Sequence, residues 1–216
     1  MTGLKLHLLA LVVLSVLLSQ TQLLHSSVEI GSISEVRGNA QVLRDKPYGA
    51  ELAFNIQQMD DVRTEAGRVA ITFEDDSTVK LTEHSKLVID EYIYDPDPSK
   101  SKMALKFASG TARFITGKFN NKSNISIRTP TADIAIRGTD FTCTVDELGR
   151  SLVILLPDEN GISSGEILVS TAMGSVTLNK PYQATTVSVY ENNPTKPVTL
   201  DISLDLIDNM LIVNPP

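Results

Sequence analysis

Three histidines and one cysteine are the whole stock of imidazole and thiol in these 216 residues. His7 and His25 fall within the first 27 residues, which read as a leader, so His84 is the one imidazole beyond it. It sits in Thr82-Glu83-His84-Ser85-Lys86, a polar turn between two apolar runs. A Ser85 or His84 nucleophile would need a third group to orient it, and the spacing supplies none. Cys143 shares a period-two face with Phe141 and Val145, which sends its thiol inward, whereas a reactive thiolate needs a basic partner and partial exposure. One cysteine closes no intrachain disulfide, and structural zinc takes four Cys or His ligands. No catalytic residue, metal or cofactor is expected.

Carboxylates are more plentiful. Acidic pairs and triplets occur at Asp60-Asp61, Glu74-Asp75-Asp76 and around Asp95-Pro96-Asp97. Calcium would want several oxygen ligands on one loop, and none of these matches a loop of alternating acids closed by a distal Glu. They are expected to be solvated turns. A paired-carboxylate hydrolase draws its two acids from anywhere in the chain, and no positive sign of one appears. With 5% aromatics and no Trp, a stacking platform for single-stranded nucleic acid is also disfavoured.

The distribution of charge is more informative than its sum. The chain is −7 overall, and setting aside residues 1–27, with Lys5 and no acid, leaves −8. Between Lys100 and Arg137 stand eight basic residues, Lys100, Lys102, Lys106, Arg113, Lys118, Lys122, Arg128 and Arg137, against Asp133 alone. This block of +7 therefore lies within a remainder of −15. Alternation separates Lys102 and Lys106 from Met103, Leu105 and Phe107, so one strand is expected to show lysines to solvent over an apolar inner face. Lys100, Lys102, Lys106, Arg113, Lys118 and Lys122 form a candidate contact surface for a protein or an anionic envelope component. The alternative is that acids on neighbouring strands neutralise the block through cross-strand pairs. An acidic, exported chain makes nucleic acid an unsuitable partner.

The elements that must carry these residues are strands. From Val28 to Tyr190 apolar residues recur at period two in short runs, as in Val69-Ile71-Phe73, Leu87-Ile89, Ile125-Ile127, Ile134-Ile136, Phe141-Cys143-Val145 and Val187-Val189. Turn residues separate them at Arg37-Gly38-Asn39, Asp75-Asp76-Ser77, Asn120-Asn121 and Asp158-Glu159-Asn160-Gly161. Such spacing predicts an all-β fold, a sandwich or β-solenoid of short antiparallel strands. Asp95-Pro96-Asp97-Pro98 must be a loop, because both prolines lack a ladder donor. Residues 192–197 form a second break, after which residues 199–206 alternate once more. The expected organisation is a leader at 1–27, a main β domain at 28–147, further strands at 148–191 and a tail at 192–216.

Residues 1–27 read as an export signal, with one charge at Lys5 and an apolar run over residues 8–18 that is shorter than the ~20 residues of a membrane span. Adding Leu23 and Leu24 leaves an uncleaved anchor through residues 4–24 as the alternative to cleavage. Export to the periplasm or beyond is expected in one case, attachment to the inner membrane in the other.

Taken strand by strand, the chain resembles the FecR-domain family. The opening strand is Ile33-Ser34-Glu35-Val36-Arg37-Gly38-Asn39-Ala40-Gln41-Val42, followed by Asp61-Val62-Arg63-Thr64. An apolar strand and hairpin come next, Gly67-Arg68-Val69-Ala70-Ile71-Thr72-Phe73-Glu74-Asp75-Asp76-Ser77, with Asp76 where the family has Gly, a position where Asp can take positive φ. The series closes on Ile134-Ala135-Ile136-Arg137-Gly138-Thr139-Asp140-Phe141 and covers about residues 30–146. The resemblance implies an exported, non-enzymatic recognition module. Only seven residues precede the apolar run, so a stand-alone member without the cytoplasmic sigma-binding segment is expected. Arg137, Gly138, Thr139 and Phe141 are read as a structural motif, with Gly138 at a corner and the Thr139 hydroxyl bonding the freed backbone. An assembly component pairing through exposed strand edges is the alternative function.

Overall fold

The computed structural model describes residues 28–118, 124–190 and 193–204, and among these the chain is built of strands, as the period-two pattern predicts. Three long strands organise the rest: β1 (Glu29–Leu43), β4 (Asp61–Phe73) and β7 (Lys102–Ile115). Each is bent, and each gives one half to each of two wings. In β7 the bend falls at Gly110, which has φ +93° and lies so close to Ser85 that a Cβ would stand 2.2 Å from its Oγ. No other residue type meets both demands. At Gly38, opposite Gly67, β1 and β4 bend together, and the register shifts between Gly38 and Ala40.

Wing I takes the C-terminal half of β1 and the N-terminal halves of β4 and β7. Its order is β2 (Pro47–Gly49), β1, β4, β6 (Lys86–Ile93), β7, β8 (Asn124–Arg128), β9 (Asp133–Arg137), β12 (Glu166–Ser170) and β13 (Ser175–Leu178). Wing II takes the other halves, in the order β3 (Asn55–Gln57), β1, β4, β5 (Thr78–Leu81), β7, β10 (Asp140–Val145), β11 (Ser151–Leu155), β14 (Gln183–Val187) and β15 (Val198–Thr199). Only the β7–β8 pair is parallel; the other described pairs are antiparallel. Strands that pass from one sheet to the other at bends make the corners of a sandwich.

One apolar core lies between the wings. Phe107 of wing I meets Phe114 of wing II edge to face at 5.9 Å, and Phe114 stacks on Phe141 at 5.0 Å. Phe73 stacks on Tyr92 at 5.3 Å across the wings. Each such ring contributes about 1.5–3 kcal/mol by burial, with up to about 1.5 more from ring geometry. Cys143 lies in this core, fully buried, and burial pushes its thiol up to about 12.

Several details depart from the sequence pattern. The strand expected at Val187-Val189 lies earlier, over Gln183–Val187, and Ser188 turns the chain by accepting the Tyr190 amide at 3.2 Å. Val189 and Tyr190 are left exposed. The alternation expected over residues 199–206 gives no strand past Thr199, the end of the two-residue β15, among the described residues, because Ile202 and Leu204 pack instead against Leu156. Residues 205–216 lie outside the described residues, as do the leader and Lys122. The Asp95-Pro96-Asp97-Pro98 loop joins β6 to β7, which pair with each other, and so interrupts no sheet.

The acidic turns are also corrected. Asp60 and Asp75 are fully buried rather than solvated. Asp60 is gripped by Arg44 through Nε and Nη2, each at 2.7 Å, and accepts the Gln57 amide at 2.8 Å. Asp75 accepts the Tyr92 hydroxyl at 2.9 Å and the Ser77 hydroxyl, and its amide donates to the Tyr92 oxygen at 3.0 Å. A buried carboxylate costs several kcal/mol unless hydrogen-bonded, and these contacts offset that cost. Burial and the neighbouring Asp75 drive the Tyr92 phenol far above its ordinary range. Asp76 does take positive φ, at +65°.

Candidate protein-binding face

The outward side chains of wing I form three rows, fixed by register. Across β7, β8, β9, β12 and β13 the middle row is Ala104, Ser126, Ala135, Leu168 and Thr177. It holds no charge, and Leu168 is 40% exposed. One flanking row carries Lys102, Arg137 and Glu166, the other Lys106, Arg128 and Asp133.

Each cation in these rows has an acid in reach. Lys102 meets Glu91 at 2.5 Å and Lys106 meets Asp90 at 2.6 Å, both acids coming from the adjacent β6. Arg128 pairs with Asp133 at 2.8 Å and Arg137 with Glu166 at 3.3 Å. The hydrogen bond and charge of Asp133 raise the Arg128 guanidinium above its ordinary value. Alternation behaves as expected here: Lys102 and Lys106 face solvent while Met103, Leu105 and Phe107 are buried.

The remaining basic residues of the block are elsewhere. Lys100 sits in the β6–β7 loop, 3.8 Å from Asp97. Lys118 leaves the end of β7 and pairs with Asp76 at 2.8 Å, which raises its ammonium above its ordinary value. Arg113 lies on the outer face of wing II, where its Nε and Nη2 hold both oxygens of Asp140 at 2.8 and 2.6 Å. The structure thus brings together Lys102 and Lys106 and adds Arg128 and Arg137, but separates Lys100, Arg113 and Lys118 from them. Sequence reasoning missed Ala135 and Leu168, whose only signal was an apolar residue in the outward phase of a strand.

Gly138 makes the expected corner, with φ +55° between β9 and β10. The Thr139 hydroxyl does not bond the freed backbone: it is buried and has no partner among the described residues. Thr116 does that work, donating its amide at 3.0 Å and its hydroxyl at 2.9 Å to the Thr139 carbonyl. Phe141, two residues on, is fully buried. Beside this corner a cleft of about 630 Å³ is lined by Arg113, Thr139, Asp140, Asp158, Glu159 and Leu204. His84 does not line this cleft and is exposed at the tip of the β5–β6 turn, with φ +56°. Among the described residues no three His, Cys, Asp or Glu side chains are grouped to hold a metal ion.

An all-β sandwich with an open, ion-paired sheet face is what fold and site define. The profile of the FecR protein family matches residues 60–176, more than half of the chain, and the chain belongs to that family. The match starts later than the opening strand that suggested the likeness, and continues past residue 146 through β12 to Val176. Two crystal structures of a candidate anti-sigma factor from Parabacteroides distasonis ATCC 8503, at 1.65 and 2.50 Å, are similar in fold, with TM-scores of 0.51 and 0.52. Each aligns at 15% identity over 65% of this chain and 60% of the solved one, so the likeness spans less than two thirds of those proteins. No curated protein matches the chain.

Proposed function

We propose that this FecR-family chain is a non-enzymatic recognition module, exported to the periplasm or cell envelope, that acts in signalling or regulation by binding a partner on the outer face of wing I. The observation that carries this reading is the uncharged row Ala104, Ser126, Ala135, Leu168 and Thr177 between two rows of ion pairs. Interfaces place such a low-charge strip at the centre of contact and the charges at the rim. Membership of the FecR family and the fold shared with a candidate anti-sigma factor support the regulatory part of the reading. Since Lys102 and Lys106 are matched by Glu91 and Asp90, the face has little net field to hold a polyanion, which favours a protein as the partner.

A photo-crosslinking residue at Ala135, in cells producing the full chain, tests this. The expected result is a discrete protein adduct that is lost with Leu168→Asp at unchanged thermal midpoint and not formed from a crosslinker at Thr186, an exposed position on β14 of wing II. Adducts of equal yield from both sites, or none from Ala135, would overturn it.

A further inference from the structure

The free edges of the two wings differ in how they are protected. β2 is three residues long, opens on Pro47 and follows Asp45 and Lys46; β3 is also three residues. β15 is two residues long and follows Pro194, Lys196 and Pro197. Short length, proline and charge are the usual guards against edge-to-edge pairing. β13, Ser175-Val176-Thr177-Leu178, has neither proline nor charge, and among the described residues it pairs on one side only, with β12.

The direction of its backbone groups follows from the β12–β13 hairpin. The Thr171 amide donates to the Gly174 carbonyl at 2.9 Å, which makes 171 and 174 the closing hydrogen-bonded pair. Bonded and non-bonded pairs alternate along an antiparallel ladder. Val176 and Leu178 therefore bond to Val169 and Ile167, while Ser175 and Thr177, opposite Ser170 and Leu168, turn their N–H and C=O groups to the free edge. Both residues are exposed, and Thr177 has no other partner among the described residues.

We propose that β13 is a self-pairing edge that joins two copies of this chain in an antiparallel two-fold dimer centred on Thr177. Directly opposite residues of a ladder share a face, so a two-fold axis at Thr177 sets Thr177 against itself, Val176 against Leu178 of the second copy and Ser175 against its Asn179. Thr177 exchanges both of its free backbone bonds with its counterpart, and each Ser175 N–H reaches an Asn179 carbonyl. No charged residue stands at the seam, so no like charges oppose. The uncharged row Ala104, Ser126, Ala135, Leu168 and Thr177 then runs unbroken from one copy into the next. A second copy fits better than an arbitrary peptide because each partner offers the same short, uncharged, outward-turned segment. Five residues a side make a small interface, so the dimer is a weak one.

Sedimentation equilibrium of the full chain from about 10 μM to about 1 mM, the range suited to a weak interface, provides the test. The expected result is a weight-average mass that climbs toward the dimer with concentration. Thr177→Pro removes an edge N–H that β12 does not use, and should raise the dissociation constant at least tenfold, while Thr177→Val leaves it unchanged. Should Thr177→Pro fail to match the wild-type circular dichroism, Thr177→Lys takes its place by setting two like charges across the axis. Thr177→Cys should form a disulfide-linked dimer on mild oxidation and Ser126→Cys should not, since Cα atoms of a bonded pair stand about 5.5 Å apart, within disulfide reach. A monomer at every concentration, or a dimer indifferent to both Thr177→Pro and Thr177→Lys, would overturn the proposal.

Discussion

On wing I the outer ion pairs stand in water: Lys106 and Asp90 are 46% and 33% exposed. On wing II the pair of Arg113 with Asp140 is shielded, at 13% and 18%. The difference comes from what covers each face. Residues 193–204 run back along β14, with the Thr195 amide on the Thr186 carbonyl at 2.9 Å and the Leu200 amide on the Tyr182 carbonyl at 2.9 Å. This path lays Ile202 and Leu204 against Leu156. The described residues place no such segment over wing I. One wing has spent its outer face on stability and the other keeps it open, which is why contact chemistry is assigned to wing I.

The largest expected effect concerns the dry interior behind wing II. Cys143 on β10 is fully buried, and desolvation raises its thiol from an ordinary value near 9 to about 12. The native protein should resist a thiol reagent at pH 8, with labelling at least a hundredfold slower than in denaturant, because the thiolate is the reacting form. A titration follows from the same shift. The unfolded thiol ionises first, so stability is intact below about pH 9 and falls as the pH rises from 9 toward 12. Rapid native labelling would show that wing II opens readily, and would break the contrast.

Removing the shielded pair comes next. Arg113→Ala leaves the Asp140 carboxylate without its two-point partner and should cost about 3 kcal/mol, read as a lower urea midpoint at constant slope. Leu204→Ala removes part of the cover, and because the side chain is only half-buried the cost should be about 1 kcal/mol. If either change cost nothing, wing II would be no more closed than wing I.

Much of this contrast was hidden in the sequence, and register is the reason. Period two was enough to turn Lys102 and Lys106 outward, send Cys143 and Phe141 inward and leave His84 in a turn, because strand alternation is local. Positive φ at Asp76 was legible on a different ground, the tolerance of Asp for that region where the resembled family has Gly. Local alternation could not show that the +7 block is matched almost residue for residue. Asp90 and Glu91 reach Lys106 and Lys102 only through the β6–β7 pairing, and Glu166 reaches Arg137 from 29 positions away. Asp60 and Asp75 looked like solvated turn acids because their partners Arg44 and Tyr92 lie 16 and 17 residues off. The parallel β7–β8 pair, which aligns the rows of wing I, also has no local signature.

The smallest expected effect is the one that separates the two faces most directly. Lys106→Ala breaks the contact with Asp90 but leaves both sites hydrated, so the loss should stay below about 1 kcal/mol. Exposed pairs are screened by salt, with a Debye length near 3 Å at 1 M, so the difference from wild type should vanish in 1 M sodium chloride. The Arg113→Ala loss should survive that salt, because a shielded pair exchanges little with mobile ions. Urea melts of both variants at low and high salt measure this directly. A salt-resistant loss at Lys106 would mean that the wing I pairs are held as rigidly as the wing II pair, and that a partner docking there would meet a fixed charge pattern rather than side chains free to rearrange.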